Sequence, residues 1–307
     1  MSAVFRTSTV SAVLFMLLAS ALIAVTMILA KALGIGEGGV AGLHPFQVSA
    51  GRFFFALMTL IVFMMLVPSA RPRNISEANW KWHVLRSAFG WMGVTCMFAA
   101  AARMPLAEAT AISFLSPLVT LVFAMMILKE SVSLRKWLAT GLSVLGAYVI
   151  LQPGTEAFRP AGLLALVAAL FMGLEAIFIK KLSDAEPSTR ILFINNMIGA
   201  AVSVSVALTV WGWPSQTQWL WLAALGATMI SAQACFIQSM KRAQASLVMP
   251  VFYTVLVFSG LYDLLIYGIS PTGIALLGAG LIVAGAMLLA LPSRRRKPSL
   301  PPNMLAD

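Results

Sequence analysis

Of 307 residues, 60% are apolar and only 10% are Asp, Glu, Lys or Arg, against about a quarter charged in an ordinary soluble domain. So little charge cannot clothe a water-soluble globule, and most of the chain must be solvated by lipid. The formal charge of +11 therefore does not mark a nucleic-acid binder, since no polar domain remains to present a basic face.

A membrane-spanning helix needs about 20 mostly apolar residues to cross a hydrocarbon layer of about 30 Å. That rule predicts ten spans, near 10–31, 45–67, 80–103, 105–128, 133–151, 160–180, 189–211, 217–240, 245–267 and 271–291. The fold class expected is an all-α integral membrane protein. The first run, behind Arg6, exceeds the roughly 7–15 residues of a cleavable signal core and is read as a span. The second span carries Arg52 seven residues in, roughly 10 Å deep, and the third carries Arg86. The linker GIGEGG (34–39) fits a dinucleotide fingerprint by letter, but it joins two membrane segments and follows no strand. Cys96 and Cys235 lie singly in apolar runs and read as small buried hydrophobes. His44 and His83 stand alone at span ends, with no metal-ligand spacing, so neither metal nor cofactor is expected.

The fourth span opens with MPLAEATAISFLSPL (104–118). Glu108 falls in its first turn, where the helix dipole favours a carboxylate by about 0.3–1 kcal/mol. It is read either as a charge paired with Arg103 or as an outer gate. Pro117 removes the hydrogen bond to the Ser113 carbonyl and should kink the helix, leaving Ser113, Ser116 and that carbonyl available to a wet cavity. Further charges fall within the sixth and ninth spans: Glu175 about five residues from the cytoplasmic end of its span, among the small and apolar residues of LFMGLEAIF, and Asp263 about four from the outer end of its own. A charge at a helix centre costs about 2.5–3.5 kcal/mol on insertion scales, so Glu175 is the leading candidate for a substrate- or proton-binding carboxylate. Gln233, Gln238, Asn195 and Asn196 offer uncharged hydrogen bonds, and Trp211, Trp213, Trp219 and Trp221 read as an outer aromatic belt.

Sixteen of the 21 Lys and Arg fall on one set of alternate loops and the termini, and Arg86, inside the third span, lies towards the same side, making seventeen against four. By the positive-inside rule both termini are then cytoplasmic. A shift of 139 residues superposes the third to fifth spans on the eighth to tenth: Trp80 meets Trp219, Cys96 meets Cys235, and TGLSVLGAYVIL (140–151) meets AGLIVAGAMLLA (279–290) with Gly141/Gly280 and Gly146/Gly285 in register. Five spans per half is an odd number, so the second half, 156–307, should sit inverted relative to the first, 1–155, as in alternating-access carriers.

MPLAEATAISFLSPL followed by LKESVSLRKWLATGLSVLGAYVILQPG resembles the first repeat of the drug/metabolite transporter superfamily, EamA type, with a proline in the fourth span, L-x-E at its end and G-x(4)-G in the fifth. The second repeat departs from that pattern at Ile269, so Glu130 has no acidic counterpart. The resemblance implies a ten-helix carrier whose third and ninth spans line the cavity, which adds Trp91 and Tyr253 to the candidates.

The expected function is a secondary transporter of a small polar metabolite across a cell inner membrane. Its site would be lined by Trp91, Ser113, Ser116, Glu175, Gln233 and Tyr253, and gated or coupled by Arg52, Glu108, Pro117 and Asp263. Its partners are the solute and membrane lipid, with a proton or counter-solute as driving species and oligomeric state left open. The alternatives are a broad-specificity exporter and, from other classes, a lipid-modifying enzyme or a non-transporting receptor; no nucleotide motif or clustered catalytic groups support an enzyme.

Overall fold

The computed structural model describes residues 2–35, 41–72, 74–101, 112–152, 160–268 and 270–290. Among these, eleven α-helices follow in order: α1 Ser2–Ile35, α2 Pro45–Leu66, α3 Trp80–Ala101, α4 Ser116–Ile127, α5 Leu134–Leu151, α6 Pro160–Ala185, α7 Ser188–Ala207, α8 Gln216–Arg242, α9 Ala245–Phe252, α10 Thr254–Tyr267 and α11 Gly273–Ala290. Among the described residues, seven segments are long and apolar enough to cross a membrane, and Ser116–Ile127 and Gly273–Leu289 are shorter apolar helices.

Helix ends follow local chemistry. Pro45 opens α2 behind His44, whose ring accepts the Phe46 amide at 3.3 Å. Ser215 and Gln218 form a reciprocal capping box at the start of α8. Two interruptions lie beside a proline. The fourth segment turns at Phe114 and Leu115 before Pro117 enters the first turn of α4, because the proline ring has no amide to give the Ser113 carbonyl. The ninth segment, expected as one span over 245–267, is divided between α9 and α10 at Tyr253, three residues past Pro250 inside α9. The interruptions meet: the buried Tyr253 hydroxyl donates to the Phe114 carbonyl at 2.6 Å. The sixth segment is longer than the expected 160–180, running to Ala185, so Glu175 lies near mid-helix rather than close to an end.

Helices α5 and α11 are antiparallel and nearly touch backbone to backbone. A Cβ on Gly146 would lie 2.5 Å from the Gly278 carbonyl, and one on Gly285 would lie 2.7 Å from the Ala139 carbonyl. Helices α1 and α8, α3 and α6, and α2 and α7 also pack in pairs, with α2 against α8 as well. The main core, from Ala12 and Met16 through Ile177 and Leu182 to Val248 and Leu289, lies towards one end of the bundle. That end carries Lys129, Arg135, Lys136, Lys180 and Arg242, and is called the basic end below.

Candidate functional site

Three charged side chains converge inside the bundle. Glu175 projects from α6 onto the backbone of α3 at Gly90, where a Cβ would lie 2.9 Å from the carboxyl carbon. Arg86, one turn earlier on α3, is 2% exposed and donates through one terminal nitrogen to the Ile191 carbonyl at 3.3 Å. Arg52, on α2, lies 4.6 Å over the ring of Phe53. The three interact electrostatically with one another, yet no ion pair within 4.0 Å joins Glu175 to either arginine among the described residues. The Nε atoms of both arginines are buried and lack a hydrogen-bond partner.

Neutral polar groups extend the centre. The Asn196 amide donates to Gln233 at 3.1 Å, joining α7 to α8, and Ser87 lies 3.5 Å from Asn195. Towards the basic end a ladder of rings follows α3 and α6: Phe171, Phe89, Phe178 and Trp82 pack at 5.4–5.6 Å, with the Lys181 ammonium 4.2 Å over Trp82. Away from it, a small open cleft lies between α2, α3 and α7, lined by Phe46, Ser49, Trp91, Val94, Thr95, Ser203 and Val206.

The basic end is closed by cross-bonds. Glu130 accepts the amides of Ala245 and Ser246 at 2.9 and 3.0 Å and the Ser246 hydroxyl at 2.5 Å, capping α9. The buried Lys136 ammonium donates to the Ser131 carbonyl, to Ser246 Oγ and to Gln244 Oε1. Lys180 donates to the Met240 carbonyl at 2.7 Å, and Arg135 to the Leu288 carbonyl at 2.5 Å. Beside them, Glu186 accepts the Asn79 amide at 2.7 Å and pairs with His83 at 3.0 Å. Burial alone would raise the Glu186 carboxyl, but the Asn79 amide, His83 and Arg190 together hold it below its ordinary value.

A model of the EamA-like transporter family matches the chain twice, over residues 10–152 and 159–291. The chain belongs to the EamA-like transporter family. It is therefore a multi-pass membrane transporter of small molecules and not an enzyme. This family member is similar to the S-adenosylmethionine uptake transporter of Rickettsia prowazekii (strain Madrid E), 28% identical over 82% of this chain and 85% of the relative. It is also similar to the riboflavin transporter of Vibrio cholerae serotype O1, 29% identical over 75% and 78%. A crystal structure of another protein superposes with a TM-score of 0.75, covering 92% of this chain and 96% of its own at 21% identity, a likeness of fold alone.

Among the residues singled out from the sequence, the structure brings together Arg52, Arg86 and Glu175, and separately Asn196 and Gln233. Trp91 is apart from them, on the cleft. Tyr253 and Ser113 are buried around the interruptions, with Tyr253 bonded to Phe114 rather than open to a cavity in this conformation. Ser116 is half-buried, and its carbonyl accepts the Thr120 hydroxyl at 2.9 Å, while Pro117 is buried. Glu108 and Arg103 lie outside the described residues; Asp263 is in α10, with its side chain outside them. Sequence reading left His83 isolated and treated Glu130 only as lacking an acidic counterpart in the second repeat. Their partners are 103 and 115 positions away, beyond the reach of any local spacing rule.

Proposed function

We propose that this transporter is a secondary carrier of ten membrane-spanning helices in two inverted halves, 1–155 and 156–307, which moves a small polar or zwitterionic metabolite by alternating access. One observation carries this reading: the helix interruptions at Phe114 and Tyr253 are 139 residues apart and touch each other. Two discontinuous helices meeting between inverted repeats are the usual setting of a carrier's central site. Helices α5 and α11 support the same operator. Each bound of α11 lies 139 residues after the matching bound of α5. The shift also exchanges their two close contacts, since Gly146 and Ala139 become Gly285 and Gly278. Equivalent helices that run antiparallel are what inversion requires.

The seventeen-to-four bias of Lys and Arg supports an inner-membrane protein with both termini in the cytoplasm. The basic end is then the closed cytoplasmic side, and the cleft beside Trp91 faces outwards. Glu175, Arg52, Asn196 and Gln233 form the centre of the pathway. The relatives named for S-adenosylmethionine and riboflavin support a metabolite- or vitamin-sized solute. The chain has no nucleotide-binding motif, so a solute or proton gradient drives it.

Counterflow in proteoliposomes tests this. Vesicles loaded with unlabelled S-adenosylmethionine or riboflavin, followed by a wider metabolite panel, should accumulate the labelled solute transiently above equilibrium. A receptor, scaffold or lipid-modifying enzyme exchanges nothing, and absence of exchange across the panel contradicts the proposal.

A further inference from the structure

We propose that Arg52, Arg86 and Glu175 form a carboxylate-binding subsite and that the transported solute carries a carboxylate group; this rests on the carrier reading above. The formal charges are two positive and one negative, held inside a bundle where an unbalanced charge is costly. Glu175 can balance one arginine. The other needs an anion that the protein does not bring, for among the described residues neither arginine makes an ion pair with a carboxylate.

The unmet hydrogen-bonding capacity agrees. Arg86 is 98% buried, its one bond goes to a main-chain carbonyl at 3.3 Å, and its Nε is unpartnered; the Nε of Arg52 is equally without an acceptor. A guanidinium presents a planar fork of donors that fits the two oxygens of a carboxylate. A monoanionic carboxylate brings the subsite to neutrality, whereas a phosphate dianion overshoots it. Glu175 is fixed by α3, because only a residue without a Cβ at position 90 lets its carboxyl lie against that helix. It can accept an ammonium group where the solute has one. The cleft lies close by in the chain. Ser49, on the cleft, is one turn from Arg52, and Trp91, also on the cleft, follows Gly90.

The test uses the purified full chain and matched ligands: α-amino acids and three- to six-carbon monocarboxylates, each beside its primary amide and a phosphate monoester of equal chain length. Binding is read by thermal shift and transport by counterflow. Stabilising ligands should come from the carboxylates alone, with the amides at least tenfold weaker. Arg52→Gln and Arg86→Gln should each weaken carboxylate binding at least tenfold. Should either variant melt lower without ligand, Arg52→Lys keeps the charge, removes the fork and should still lose binding. Equal binding of acid and amide, preference for the phosphate ester, no binding by any carboxylate, or full binding in these variants overturns the subsite. Exchange of a neutral solute overturns the subsite and leaves the carrier standing; no exchange of any solute removes the carrier itself.

Discussion

Replacing Glu130 with alanine should open the basic end. The carboxylate accepts two amides and a hydroxyl at the start of the eight-residue helix α9, and sits beside the buried Lys136 cation. An N-terminal cap is worth about 0.5–2 kcal/mol, and a hydrogen bond to a charged group about 1.5–3. These contributions overlap and the site is half-buried, so the net loss is about 2–3 kcal/mol. At 1.4 kcal/mol per tenfold, the closed-to-open ratio falls roughly 30- to 150-fold. The assay places one cysteine at Val248, fully buried in the core and two residues past the Ser246 that Glu130 holds, with Cys96 and Cys235 changed to alanine. A membrane-impermeant maleimide applied to the basic face should label it tens of times faster in the Glu130→Ala protein. A companion cysteine at Thr95, on the opposite cleft, should label more slowly, which separates opening from unfolding. Unchanged rates at both positions would refute the reasoning.

Glu175→Gln should abolish counterflow, or uncouple it from the driving gradient, while leaving the fold intact; unaltered transport at every pH removes Glu175 from the site. Gly146→Ala puts a methyl 2.5 Å from the Gly278 carbonyl and should cost about 1–3 kcal/mol, seen as a lower Tm in detergent, whereas Gly141→Ala meets no atom within 4 Å and should melt like the parent. Glu186 is held below its ordinary value of 4.5, so its contribution is present above that value and is lost as pH falls through the lowered one. Thermal stability should therefore drop on acidification below about 4.5, and Glu186→Gln, weaker at neutral pH, should lose less over the same interval.

The helical segments and the interruption at Pro117 were legible because lipid demands long apolar runs and a proline removes a fixed hydrogen bond. The division at Tyr253 was harder to read. Pro250 lies within an unbroken apolar run, and only the structure places the turn after it. Glu175 stood out as a charge among LFMGLEAIF, but its depth was misjudged, because Lys180, Lys181 and Asp184 look like loop residues while α6 continues through them to Ala185. Lys180 is accommodated there by Asp184 and the Met240 carbonyl. The bonds from Glu130 to α9 and from His83 to Glu186 join distant parts of the chain, and nothing in their neighbourhoods marks either partner.

Alternation itself is tested most directly by spin-label distances in lipid. One pair at Ser131 and Lys241 spans the basic end, and another at Thr95 and Ser205 spans the cleft region. Glu130→Ala should lengthen the first distance and shorten the second in the same molecules. Two distances that stay fixed, or that lengthen together, contradict a site exposed to one face at a time.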